Sequence, residues 1–425
     1  MRFKSILSFI CLFTLVPFAK GQNLKYAKKT VKKLCSKKFA GRGYINNGAV
    51  NAGKFIAKEM KKLRLQTFAA NYLEPYRFSV NTIETSSLVF FNPINKNKTP
   101  LTPGRDYLIG SGSPFVQDRL RLDSLPVVSA AALSDSALWG IVKQYKGKWI
   151  VVDTLSSQVL SLFRDKLAWL DNHFNILQFS NAKLTWDVST QTAAFAKIIV
   201  AGRLRYLIGA GEMTVLIKSK LLNTTQYNVI GYVPGKVQPD SFLLVCAHYD
   251  HLGKMGTAVF PGANDNAAGV AMLLDLAKYY KKNPHNYTMI FVAFSGEEAG
   301  LLGSLRFVKA YRILLPAMRF VLNLDLVGTG ETGMTVVNAT VFTNDFAKLD
   351  SINHAKSFLP EIRRRGKAAN SDHFVFTELG IPSFFCYLSG PRIAYHDIDD
   401  IPKTLSLKGY LSTYQLLKIF LNQLP

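Results

Sequence analysis

Five places in the chain put histidine or carboxylate at the end of an apolar run or in the loop after it. His248-Tyr249-Asp250-His251 follows Val245-Cys246-Ala247, and Asp265 sits in the loop 262–269. Glu297 and Glu298 follow Phe291 to Phe294, Asp325 follows Val321 to Leu324, and His396 precedes the last helical pattern. One such coincidence means little; five at strand ends make a site. Imidazole with carboxylate and no cysteine suits zinc first and cobalt or manganese second. Two histidines and three carboxylates under-supply a single ion, whereas two ions sharing a bridging aspartate, about 3.5–4 Å apart, use the whole set. Two zinc ions bring four positive charges, which Asp265, Glu298, Asp325 and one hydroxide neutralise. A further carboxylate is then surplus as a ligand, and Glu297 is that carboxylate. Consecutive strand residues point to opposite faces, so adjacent glutamates can divide the work between ligand and proton acceptor.

The elements that must hold these residues follow from the apolar pattern. From Asn228 onward strands and helices alternate: strands at 229–233, 242–247, 288–294 and 319–324 and near 334 and 382, and helices at about 266–282, 299–313 and 404–423. Such alternation predicts a doubly wound α/β sheet with its functional residues at the carboxyl ends of strands. Phe55, Ile56, Met60 and Leu63 recur at helical spacing, with lysines opposite them, and predict an amphipathic helix over 49–65. Residues 66–107 read as strands and loops, and 108–210 as a small β-rich insert that includes the strand-like runs Ile150-Val151-Val152 and Ile198-Ile199-Val200.

At 425 residues with 48% hydrophobic content, the chain buries a substantial core. A basic start (Met1 to Lys4), an apolar core to Phe18 and Ala19-Lys20-Gly21 read as a secretory signal cleaved before Gln22, which predicts a secreted or periplasmic protein. The mature chain then holds Cys35, Cys246 and Cys386, an odd number without clustered spacing, so no disulfide framework is expected. Cys246 and Cys386 lie in strand-like runs and read as core residues. The net charge of +24 is spread along the chain with no nucleic-acid-binding module. A solvated basic surface is expected, without nucleic acid, stable membrane insertion or a partner subunit.

The segments "AHYDHLG", "PGANDNAAG", "FSGEEAGLLGS", "NLDLVG", "SDHFVFTELGIP" and "YHDIDD", in this order, resemble the secreted two-zinc aminopeptidase family of metallopeptidases, relatives of bacterial leucyl aminopeptidase and aminopeptidase Y. The likeness covers residues 228–425 and, more weakly, 22–66. It implies a mixed sheet flanked by helices (the zinc-exopeptidase fold), with a signal at 1–21, an N-terminal part at 22–107, the insert at 108–210 and a catalytic core at 211–425. The insert would correspond to the protease-associated domain that several members carry. By resemblance, two zinc ions per chain are held by His248 with Asp325 and by His396 with Glu298, and Asp265 bridges them. Glu297 is the general base for a bridging hydroxide, Asp250 orients the His248 imidazole and Asp400 does the same for His396. Asp372 and His373 fall in the pocket wall, His251 receives no role, and His285 and His354 read as ordinary histidines. The substrate implied is the free N-terminus of a peptide or protein.

One departure stands beside a ligand: the family's Tyr-His-Thr-Pro reads Tyr395-His396-Asp397-Ile398 here, adding negative charge to the His396 loop. There is no HExxH segment and no Gly-x-Ser-x-Gly elbow, which argues against a helix-borne zinc protease and a serine hydrolase. Two alternatives share the fold: a single-zinc acyltransferase resembling glutaminyl cyclase, and a non-catalytic, receptor-like member. The loop 265–269 and the segment 300–303 favour the peptidases over the first, and the complete ligand set opposes the second.

Overall fold

The computed structural model describes residues 24–144, 146–153, 161–391 and 394–424. The signal expected at 1–21 lies outside them. The main sheet is built from β1 (Leu73–Phe91), β2 (Glu212–Val233), β3 (Gln238–His248), β4 (Tyr287–Phe294), β5 (Met318–Leu324), β6 (Gly333–Val337) and β7 (Ser383–Ser389), in the order β1-β2-β4-β3-β5-β7-β6. The short strand Ile362–Arg364 extends one edge beyond β6, and the hairpin Gly253–Met255 with Ala258–Phe260 extends the other beyond β1. β4, β3, β5 and β7 are mutually parallel, whereas β2 runs antiparallel to β1 and β4, and β6 antiparallel to β7. The parallel centre explains the sequence. Residues 288–294 and 242–247 are almost continuously apolar because both faces of these strands are covered.

One face is covered by α1 (Leu24–Leu34), α2 (Gly48–Lys62), α3 (Gly269–Lys282), α5 (Thr343–Lys356) and α6 (Tyr410–Asn422). All five contribute to one apolar core with the inner faces of β3, β4 and β5. α4 (Leu302–Ala310) packs on the other face through Phe307, beside Phe294 and Phe376. In α2 the buried stripe is Ala49, Ala52, Ile56 and Met60, with lysines outward; of the apolar face expected from the spacing, Ile56 and Met60 are fully buried and Phe55 and Leu63 only partly. Full burial of a side chain such as Ile56 is worth about 1.5–3 kcal/mol.

The boundaries depart from expectation where backbone geometry is special. The helix expected from 266 starts at Gly269, because residues 263–268 form an irregular turn with Asp265 outside helical dihedrals. The helix expected over 299–313 is trimmed to Leu302–Ala310, and the last begins at Tyr410 rather than 404. α1 and α5 were not expected. In α1 the apolar positions Ala27, Val31 and Leu34 do have helical spacing, but lysines dominate the segment. The strand expected at 229–233 is only the end of β2, which runs antiparallel to β1 from Leu73↔Val229 to Phe91↔Glu212.

A second sheet of five strands occupies the expected insert, starting one residue before its expected boundary: Tyr107–Ile109, Lys197–Ala201, Asn175–Ser180, Trp149–Val152 and Val127–Val128, in that spatial order. Its apolar face does not stand alone. Ile109, Leu177, Ile198 and Trp186 share a core with Ile83 of β1 and with Met255 and Phe260 of the edge hairpin. This second sheet is therefore packed onto the region that carries the residues of interest.

Candidate metal centre

Because β4, β3, β5 and β7 are parallel, their carboxyl ends share one edge of the sheet, where open α/β sheets place their sites. His248 is the last residue of β3, Glu297 and Glu298 follow β4, and Asp325 follows β5. His396 stands beyond β7, and Asp265 occupies the crossover from β3 to α3. The structure brings these residues together. His248 Nε2 lies 3.3 Å from Asp265 Oδ1 and 3.4 Å from Asp325 Oδ1. His396 Nε2 lies 3.2 Å from Asp265 Oδ2 and 3.2 Å from Glu298 Oε2. Asp265 thus stands between two histidines, each accompanied by one further carboxylate. Glu297 is nearby but farther out, with Oε2 4.0 Å from His248 Nε2.

The donor set fits dications. Candidate ligand atoms of His248, Asp265 and Glu298, and of His248, Glu297 and Asp325, each fall within 4.8 Å of one another. Asp325 Oδ2 accepts the Ser371 hydroxyl at 2.9 Å, and the Ser371 oxygen accepts Asn323 Nδ2–H at 2.7 Å. Asp325 Oδ1 is buried without a hydrogen-bond partner and faces His248. A buried carboxylate oxygen kept free of hydrogen bonds suits a metal ligand.

The supporting residues act differently from expectation in two places. Asp250 was expected to hold the His248 ring through its carboxylate. Instead the ring's Nδ1 faces the Asp250 main-chain carbonyl at 3.2 Å, and the carboxylate stands 3.8 Å away. That carboxylate accepts the Tyr44 hydroxyl (2.8 Å) and the main-chain N–H groups of Glu297 (3.3 Å) and Glu298 (3.4 Å). The nearer carbonyl serves the imidazole and leaves the carboxylate to shape the turn that presents both glutamates. Asp400, expected beside His396, instead accepts the N–H groups of Asn264 (2.8 Å) and Asp265 (3.0 Å), fixing the loop of the central aspartate. Asp372 and His373 are fully buried and so do not line an open wall.

Sequence reasoning missed two residues. Arg42, with no exposed surface, donates to the main-chain carbonyls of Tyr249 (2.8 Å), Pro261 (2.6 Å), Gly262 (2.7 Å) and Asp265 (2.9 Å). It ties the β3 loop to the Asp265 loop from more than 200 residues away, a link no local pattern announces. The second is His251, whose Nδ1 lies 2.7 Å from Glu298 Oε1. Its spacing from His248 was visible, and its partner was not.

Electrostatics separates the paired glutamates. Burial raises Glu297 well above the usual carboxylate range; His248 opposes this, and the charges of Glu298, Asp325 and Asp372 reinforce it. Burial also acts on Glu298, yet hydrogen bonds from His251 and His396 hold it at about 2. Asp265 is likewise pulled well below its usual range, against burial, by His248 and His396. Burial would lower His396, but Asp265 and Glu298 carry it up to about 11. Neighbouring carboxyls pushed apart in this way take different roles. Beside the site a cavity of about 640 Å³ is lined by Asn264, Thr329, Asp397, Asp400 and Lys183, a volume adequate for a small ligand. Tyr395 is 42% exposed and stacks on the His396 ring at 3.9 Å.

Residues 228–419 match Peptidase family M28. The chain is 31% identical over 178 residues to aminopeptidase YwaD of Bacillus subtilis, covering 40% of this chain and 37% of the relative. It is 30% identical over 235 residues to a probable leucine aminopeptidase of Arthroderma otae, covering 52% of this chain and 63% of the relative. The chain thus spans less than two thirds of the length of these relatives. Among solved structures, BSAP, a zinc aminopeptidase from Bacillus subtilis, superposes with a TM-score of 0.69 over 93% of each chain at 22% identity, a likeness of fold.

Proposed function

We propose that the chain, whose residues 228–419 match Peptidase family M28, is a zinc-dependent aminopeptidase that removes N-terminal residues from peptides. The observation that carries this reading is the Asp265 carboxylate. Its two oxygens face the Nε2 atoms of two different histidines, His248 at 3.3 Å and His396 at 3.2 Å. In this reading two zinc ions would be held by His248 with Asp325 and by His396 with Glu298, and Asp265 would be shared between them. When bound, two such ions polarise the scissile carbonyl and make water acidic enough to attack at neutral pH.

The remaining work falls to side chains. Glu298, of low proton affinity, serves as a ligand. Glu297, whose proton affinity is raised, is suited to hold a proton in transit: its carboxylate accepts it from the attacking water and returns it to the leaving amine. The Asp250 carboxylate keeps both glutamates in place through their main-chain N–H groups. The residues at 1–21 support export to the periplasm or medium as part of this proposal.

The test uses the purified chain with its zinc counted. Aminoacyl-anilides and free peptides are expected to be cleaved, N-acetylated peptides to be spared, and about two zinc ions to be found per chain. One ion per chain, with ring closure of N-terminal glutamine in place of hydrolysis, would establish the cyclase alternative.

A further inference from the structure

The Asp397-Ile398 pair beside His396 meets the second sheet directly. Lys183, in the segment after the strand Asn175–Ser180, forms an ion pair with Asp397 Oδ2 and donates to the Tyr395 carbonyl at 3.3 Å. Asp397 Oδ1 accepts the Asp399 main-chain N–H at 2.8 Å, so the same carboxylate also closes the turn that follows His396. Three residues after Lys183, the Trp186 main-chain N–H donates to the His396 carbonyl at 2.8 Å. The Trp186 side chain is anchored on both sides: its Nε1–H donates to the Ile109 carbonyl at 2.7 Å, and its ring stacks on Phe260 at 4.9 Å. Ile398 packs against the core of the insert and leaves no room for a side chain at Gly104, where a Cβ would come within 2.7 Å of Ile398 Cγ2. Arg105 lies 3.6 Å from Asp399.

We propose that the insert is a working part of the metal centre: Lys183 and the Trp186 main chain form a clamp that positions His396 through Asp397. Lys183 is the positioning residue, and it acts through a carboxylate on the loop without touching substrate or ligand. The charge introduced by Asp397 is met by a cation supplied from outside the catalytic core. Asp397 is only 9% exposed at its side chain, and Lys183 about half exposed, so solvent screens the pair from one side only. Residues flanking His396 on both chain directions, Tyr395 and Asp397, are held by the one lysine, and His396 itself by Trp186. A rigid loop lets an imidazole meet a cation without first paying to order it. The proposal rests on the reading of His396 as a ligand, and its test separates the two.

The experiment compares the full chain with Lys183→Met, Asp397→Asn, the double variant and the charge swap Lys183→Asp/Asp397→Lys. Hydrogen exchange over residues 394–400 is followed in chelator-treated protein, and zinc affinity is measured by competition with a chelator. Lys183→Met is expected to speed exchange in that segment. It is also expected to weaken one of the two ions by roughly ten- to hundredfold, the range for residues that orient ligands. The double variant is expected to be no worse than the poorer single variant, and the swap to recover part of the loss, which a merely structural effect at either position would not produce. Unchanged exchange in Lys183→Met, or losses in the two single variants that simply add, overturns the clamp. Faster exchange in a chain whose wild type binds no zinc supports the clamp and sinks the metal reading instead.

Discussion

His251 Nδ1 and Glu298 Oε1 stand 2.7 Å apart, both on buried side chains, while Glu298 Oε2 turns toward His396. The two oxygens of one carboxylate therefore have separate partners. His251 occupies Oε1, and Oε2 is left for whatever His396 binds. Replacing His251 by alanine frees Glu298 to rotate and is expected to lower the affinity of one zinc ion by about 10- to 100-fold, leaving the other nearly unchanged. His251→Gln keeps a donor and is expected to lose less. Chelator competition with zinc counted at each step checks this; an equal loss at both ions would show that His251 supports the fold rather than this ligand.

Glu297 and Glu298 are adjacent in sequence and opposite in proton affinity. Glu297→Gln is expected to retain zinc and to lose about 100- to 10,000-fold in kcat, the usual worth of a general base. Glu298→Gln is expected to lose zinc first and activity as a consequence. Parallel zinc and kcat measurements distinguish the two variants. If both lose zinc equally, the division of labour fails.

The parts of this molecule that were legible in the sequence are those whose cause is local. Continuous apolar runs such as 288–294 mark strands buried on both faces, and the chemistry at their ends follows once the strands are parallel. The lengths of β1 and β2 were not legible, because a long strand that passes from one apolar core to another changes its buried face along the way and blurs its alternation. Nor were the partners of Asp250 and Asp400 legible. Each carboxylate is nearer to main-chain N–H groups than to the imidazole expected for it, a matter of loop path rather than residue type. Arg42 is the extreme case, a residue whose role exists only through contacts more than 200 positions away.

That role makes Arg42 a sensitive position. Four carbonyls accept from one guanidinium, and its removal takes that donor from each of them, leaving Gly262 with the Ala267 N–H at 3.3 Å. Each unsatisfied buried group costs about 1–3 kcal/mol before relaxation. Arg42→Met is expected to destabilise the chain by at least about 3 kcal/mol and to weaken zinc binding through the Asp265 loop. Arg42→Lys is expected to recover little, because an ammonium cannot reproduce the planar fork. Urea unfolding of the three proteins tests this, and a lysine variant close to wild type would contradict it.

Asp275 in α3 offers a test remote from the metal centre. The residue is buried, its Oδ2 accepts the Tyr410 hydroxyl at 3.3 Å, and Oδ1 has no partner. Burial pushes its carboxyl up to about 6, with the Tyr410 hydrogen bond and Lys278 opposing. Below the ordinary value of 3.8 the group is protonated in both folded and unfolded chains and costs nothing. Between 3.8 and about 6 the unfolded chain ionises while the folded one holds its proton, so stability falls as pH rises. Above that window the whole penalty is present, on the order of 3 kcal/mol for a shift of about two pH units. Asp275→Asn keeps an acceptor for Tyr410 and removes the charge. It is expected to be more stable than wild type at pH 8 by up to about 3 kcal/mol and to show no advantage near pH 3.5. Urea unfolding of both proteins across that range measures the difference directly. A variant less stable at pH 8, or an advantage independent of pH, would mean that Asp275 is held ionised by interactions stronger than its burial.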